Sequence, residues 1–126
     1  MNWFVNAYLP RYKVVIKVDH LGLIRQGVFG WMWASDCDYR PREFEIELHN
    51  RMTPENYTKT LLHELWHVHQ HVKGLLKDKH NKRLWKGIDH SETDYADQPW
   101  ERQANTMEEY LFTRYSKYLT RSNLSL

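Results

Sequence analysis

Between Thr53 and Gly74 the chain runs without a helix breaker, and this stretch constrains the fold more than any other. Thr53 can supply a capping oxygen, Pro54 suits the first helical position, and Gly74 suits the turn out of a helix, so a helix is predicted over residues 53–74. With His63 set at 0° on a wheel of about 100° per residue, His67 falls near 40°, His71 near 80° and Glu64 near 100°. Leu61, Leu65, Val68 and Val72 fall between about 140° and 200°, and Leu62 and Trp66, near about 260° and 300°, widen the apolar surface. The helix is therefore mostly buried, with His63, Glu64 and His67 of HELWH on one polar face. Unpaired polar groups in such a place are costly, and a metal would remove the cost.

Histidines four apart sit one turn apart, so their rings can converge on one ion while the adjacent glutamate reaches a water without ligating. A shuffled chain of this composition would spell H-E-x-x-H in roughly 3–4% of cases, so the amphipathic setting, not the bare match, carries the reading. A zinc site of this type needs a third protein ligand. Glu101, in YADQPWERQAN (residues 95–105), is the preferred candidate because Trp100 and the small Ala104 flank it as core contacts would. Glu108, two turns further on the same face, is the rival. His71 shares the metal face, although a histidine near a helix C-terminus is also favoured without a metal. His69, near about 240°, reads as a satisfied core or boundary residue.

The first fifty residues carry strand signals in YKVVIKV (12–18), GVFGWMW (27–33) and REFEIELHN (42–50). In the third, Phe44, Ile46 and Leu48 alternate with Glu43, Glu45, Glu47 and His49, which predicts one buried face and one wet one. The run of like charges suits an edge strand. Residues 75–97 are polar, basic and aperiodic, and read as a long loop with one short turn of helix around Lys82 to Trp85. Pro99 opens a second helix, predicted over residues 98–120, and the tail SNLSL is expected to fray. The elements predict a single α+β domain, a short antiparallel or mixed sheet packed on two long helices.

Composition narrows the function classes. The chain of 126 residues is long enough for one core, and its net charge of +2 names no nucleic-acid partner by itself. Its one cysteine, Cys37, lies between Asp36 and Asp38, whose charges disfavour a thiolate, so neither a disulfide framework nor a thiol nucleophile is expected. No stretch reaches the length of a membrane span and no signal-peptide pattern opens the chain, which suggests a soluble protein of a reducing cytoplasm. Phosphate-binding loops, serine-esterase elbows and Cys-x-x-Cys pairs are absent.

LLHELWH on one helix, followed by PWERQA opening another, resembles the gluzincin arrangement of zinc metallopeptidases. With the strand EFEIELHN ahead of it, the pattern is similar to small SprT-like and phage-encoded minimal zincins, the latter acting in a host cytoplasm. The likeness covers roughly residues 42–112. It implies a zincin-like domain holding Zn2+ through His63, His67 and Glu101, with Glu64 as general base toward a peptide or protein substrate. The asparagine before Pro99 and the aspartate after Ala104 of some membrane-bound relatives are missing, and no third histidine follows as in metzincins.

The oxyanion donor is open among Tyr95, His90, His71 and Tyr110, with Tyr95 favoured because a short loop joins it to Glu101. The resemblance also implies a substrate extended along an edge strand, and Glu43, Glu45 and Glu47 would then favour basic or extended peptides. Two other readings stand beside the enzyme. Lys73, Lys77, Lys79, Lys82, Arg83 and Lys86 with Trp85 among them resemble a phosphate-tracking, base-stacking stretch. A zinc-stabilised module without catalysis is the third, and it would have no use for Glu64.

Overall fold

The computed structural model describes residues 1–21, 29–36 and 40–124, with backbone alone for 122–124. In chain order its elements are α1 (Asn2–Tyr8), β1 (Val15–Leu21), β2 (Gly30–Ala34), β3 (Glu43–His49), α2 (Pro54–Val72), β4 (Leu76–Lys79), β5 (Lys82–Trp85), β6 (Ile88–Asp89) and α3 (Pro99–Leu124). A 3-10 turn, Tyr95–Asp97, precedes α3. The architecture is a small α+β domain, as its sequence predicts. Cys37, Asp38 and residues 27 and 28 of the second expected strand lie outside the described residues.

α2 starts and stops where its capping residues dictate. The Thr53 hydroxyl accepts from the Asn56 amide at 3.2 Å. At the other end Gly74, with φ of 77°, lets the chain reverse while Leu75 N–H returns to Gln70 O and Gly74 N–H to His71 O. That pair of bonds closes the last carbonyls of the helix. α3 runs to Leu124, so the tail continues as helix through that residue instead of fraying at Ser122. The N-terminus also departs from expectation. Residues 2–8 form a helix, because Phe4 is buried there and meets Trp66 of α2 edge-on at 6.3 Å.

The first sheet has the order β1-β3-β2, with β1 parallel and β2 antiparallel to β3. β3 is thus the central strand, which corrects the edge position read from its glutamates. Two of them have neighbours that the strand's own sequence does not reveal: Glu45 lies in register between Lys17 and Trp33, and Glu47 accepts from the Trp31 indole. Phe44, Ile46 and Leu48 point to the other face, fully buried in a core with Leu65 and Val68 of α2 and Ala104 of α3.

β2 is one of the two edge strands of this sheet, and it comes close to α2. A Cβ on Gly30 would lie 2.8 Å from Thr60 Cγ2 and 3.2 Å from the Glu47 carbonyl oxygen. A side chain there requires the Thr60 and Leu48 side chains or the strand itself to shift.

Residues 76–89 overturn the expected loop. They form an antiparallel meander, β4-β5-β6, and the turn of helix expected around Lys82 to Trp85 is strand β5. Both connections are two-residue turns, His80–Asn81 (φ 51° and 63°) and Lys86–Gly87 (φ 50° and 84°), whose left-handed residues match the twist of a tight hairpin. Trp85 pairs with Leu76 in register and is 8% exposed, packed with Trp100. It is not available to stack on a base. Among the described residues no helix is long and apolar enough to cross a membrane.

Candidate metal centre

The polar stripe of α2 meets the first turn of α3. His67 Nε2 lies 2.8 Å from Glu101 Oε1, and His63 Nε2 lies 3.1 Å from Glu101 Oε2. One ligand atom from each of the three residues falls within 4.8 Å of the others. The two rings stand nearly perpendicular, 83° apart, with their centroids 4.9 Å from each other. α3 can approach this closely because Ala104, one turn after Glu101, is fully buried and carries only a methyl group.

Glu108 does not share this convergence. Its Oε1 lies 3.4 Å from His63 Nδ1, on the far side of that ring from Glu101. The rival ligand is therefore an outer partner of His63.

Electrostatics separate the carboxylates. Glu64 is 6% exposed, and burial raises its pKa against the lowering influence of His67 and His63. Burial also pushes Glu101 upward, but its hydrogen bonds to His63 and His67 outweigh it and hold the carboxyl well below the usual range. Burial would lower His63, yet the Glu101 hydrogen bond and the charges of Glu64, Glu101 and Glu108 leave it raised.

Tyr95 donates its hydroxyl to Glu101 Oε2 at 3.1 Å, although its ring is largely exposed. Desolvation of the hydroxyl and the charge of Glu101 push its pKa up to about 12.

These groups face a cleft of about 350 Å³. β2, from Gly30 to Ala34, lines it, as do His71, Asp78, Arg83 and Trp100. Arg83 is held there by a two-point ion pair to Asp78, at 2.7 and 2.9 Å. Burial pushes the His71 imidazole down to about 4, so it lines the cleft as a neutral ring.

No protein-family model, curated protein or solved structure matches the chain.

The remaining expectations divide by position. His63, Glu64, His67, Tyr95, Glu101 and His71 all border the cleft. His90 bonds Thr93 Oγ1 and faces a neighbouring groove, and Tyr110 pairs with Arg114 on the exposed side of α3. Neither reaches the cleft. Glu43, Glu45 and Glu47 do not line the cleft themselves, but Glu47 accepts from the indole of Trp31 and Glu45 pairs in register with Trp33, and both tryptophans do. His69 stacks on Trp66 at 4.2 Å as a core residue, but its buried Nδ1 has no partner among the described residues, contrary to the satisfied histidine expected. Burial holds its imidazole down at about 4, and the nearby Lys73 acts in the same direction.

Sequence reasoning passed over Gln70. Its amide oxygen lies 2.8 Å from His67 Nδ1. The wheel places it near about 340°, beside His63, where a fully buried amide signals a partner in the site.

Proposed function

We propose that the chain is a zinc-dependent metallopeptidase that hydrolyses peptide bonds, with Glu64 as general base. The observation that carries this reading is the convergence of His63 Nε2, His67 Nε2 and the Glu101 carboxylate beside a second, buried carboxylate. Two imidazole nitrogens and one carboxylate form a donor set that suits zinc and leaves a coordination position open. Zinc held there supplies Lewis-acid chemistry, acidifying water toward a pKa of about 7 and polarising a carbonyl oxygen.

The protein's own groups divide the remaining work. Glu64 does not enter the converging donor set, and its raised pKa suits a carboxylate that accepts a proton from water and passes it to the departing amine. Tyr95 keeps its proton up to a pKa of about 12, so its hydroxyl remains a donor for developing negative charge on the carbonyl oxygen. Among the described strands β2 pairs only with β3 and its residues line the cleft, which supports an extended peptide adding to its unpaired edge as a further strand.

The test is cleavage of a peptide mixture followed by mass spectrometry, with and without a chelator. Wild type should cleave, chelation should stop it, and Glu64→Gln should retain zinc while losing roughly 100- to 10,000-fold in turnover. Cleavage that survives Glu64→Gln unchanged, or no cleavage by the zinc-loaded wild type, contradicts the reading.

A further inference from the structure

Gln70 lies three positions after His67 on α2 and is fully buried. A primary amide presents two different ends, and which end faces the histidine decides what that histidine can do. Here the orientation is over-determined. Gln70 Nε2 donates to the Trp100 carbonyl oxygen at 2.9 Å, and a carbonyl can only accept. The same Nε2 donates to Gln103 Oε1 at 3.0 Å. That oxygen also accepts from the Trp66 indole at 2.8 Å, and an indole N–H can only donate. Turning the Gln70 amide over would set its oxygen against two acceptors. Gln70 Oε1 must therefore face His67, and the ring nitrogen it meets, Nδ1, must carry a proton.

We infer that Gln70 is a positioning residue: through a relay anchored on the Trp66 indole and the Trp100 carbonyl, it holds a proton on His67 Nδ1, so that Nε2, the nitrogen that faces Glu101, is the one offered to a metal. This inference rests on the metallopeptidase reading for its purpose. The two histidines are then held differently. His67 is locked by a buried, neutral amide tied to α3 at two points. His63 has the half-exposed Glu108 at 3.4 Å as its outer partner. Because Trp100 and Gln103 flank Glu101 on α3, the relay also ties the ring that α2 contributes to the helix that contributes the carboxylate.

Two substitutions separate positioning from packing. Gln70→Met keeps the length of the side chain and removes the acceptor. Gln70→Glu keeps an acceptor for Nδ1 but sets a carboxylate against the Trp100 and Gln103 oxygens. Both should melt below wild type in the metal-free form. Zinc affinity, read by chelator competition, should fall roughly 10- to 100-fold in Gln70→Met and stay within roughly threefold in Gln70→Glu.

Equal affinity in Gln70→Met and wild type overturns the inference, and so does a parallel loss in both variants that follows their melting temperatures. Should neither variant fold, cadmium–nitrogen scalar coupling in isotope-labelled wild type decides. Coupling to His67 Nε2 is expected, and coupling to Nδ1 overturns the relay. Failure of wild type to bind any metal overturns the metallopeptidase reading together with the relay, whereas metal binding that ignores Gln70 overturns the relay alone.

Discussion

Two carboxylates stand beside the same pair of imidazoles and are driven in opposite directions, Glu64 raised and Glu101 lowered. A lowered carboxyl stabilises the fold above its ordinary value of 4.5 and loses that contribution as pH falls through the folded value. The raised His63 stabilises below its ordinary value of 6.5 and loses its contribution as pH rises through the folded value. Glu101→Gln should therefore cost the metal-free protein most between about pH 4.5 and 6.5, by about 2 kcal/mol, and less on either side. Urea unfolding across pH measures this, and a cost independent of pH contradicts the pairing. At this scale His63, Glu64 and His67 were legible because helical spacing alone brings them to one face, and Glu101 because Trp100 and the small Ala104 flank it. Gln70 was not, because its role depends on oxygens that α3 supplies from thirty residues away.

At the scale of elements, the close approach of β2 to α2 shapes the cleft. Gly30→Ala places a methyl against Thr60, Leu48 and the Glu47 carbonyl oxygen, so either those side chains or β2 must shift. The expected cost is about 1–3 kcal/mol by thermal or urea unfolding, with a weaker KM for extended peptides since β2 walls the cleft. Unchanged stability would mean that these contacts give way freely. α2 was legible to within a few residues because Thr53 and Gly74 act locally. β3 was legible as a strand but not as a central one. Alternation reports which face is wet, while the strands that flank β3, with Lys17 and Trp31 beside its glutamates, come from elsewhere in the chain. The meander of β4 to β6 was hidden because its strands are only two to four residues long and richly charged. Its signal lay in the two-residue turns at Asn81 and Gly87.

At the scale of the whole molecule, the buried hydrophobic residues among those described form two clusters of unequal size. The larger joins the first sheet, α1, α2 and α3, and the smaller consists of Leu76, Trp85 and Trp100 under the meander. Amides of β3 and the centre of α2 should exchange with solvent last, and those of β5 and β6 earlier by sub-global opening. Hydrogen exchange followed by mass spectrometry checks this, and equal protection of the meander would indicate one cooperative unit. The candidate metal centre spans the boundary, since Trp100 belongs to the smaller cluster and Glu101 beside it meets α2. The measurement that bears most directly on the account is the zinc content of purified wild type, Glu101→Ala and Glu108→Ala. Close to one zinc per chain in wild type and Glu108→Ala, with little in Glu101→Ala, is the predicted result. Zinc retained in full by Glu101→Ala, or absent from wild type, would contradict it.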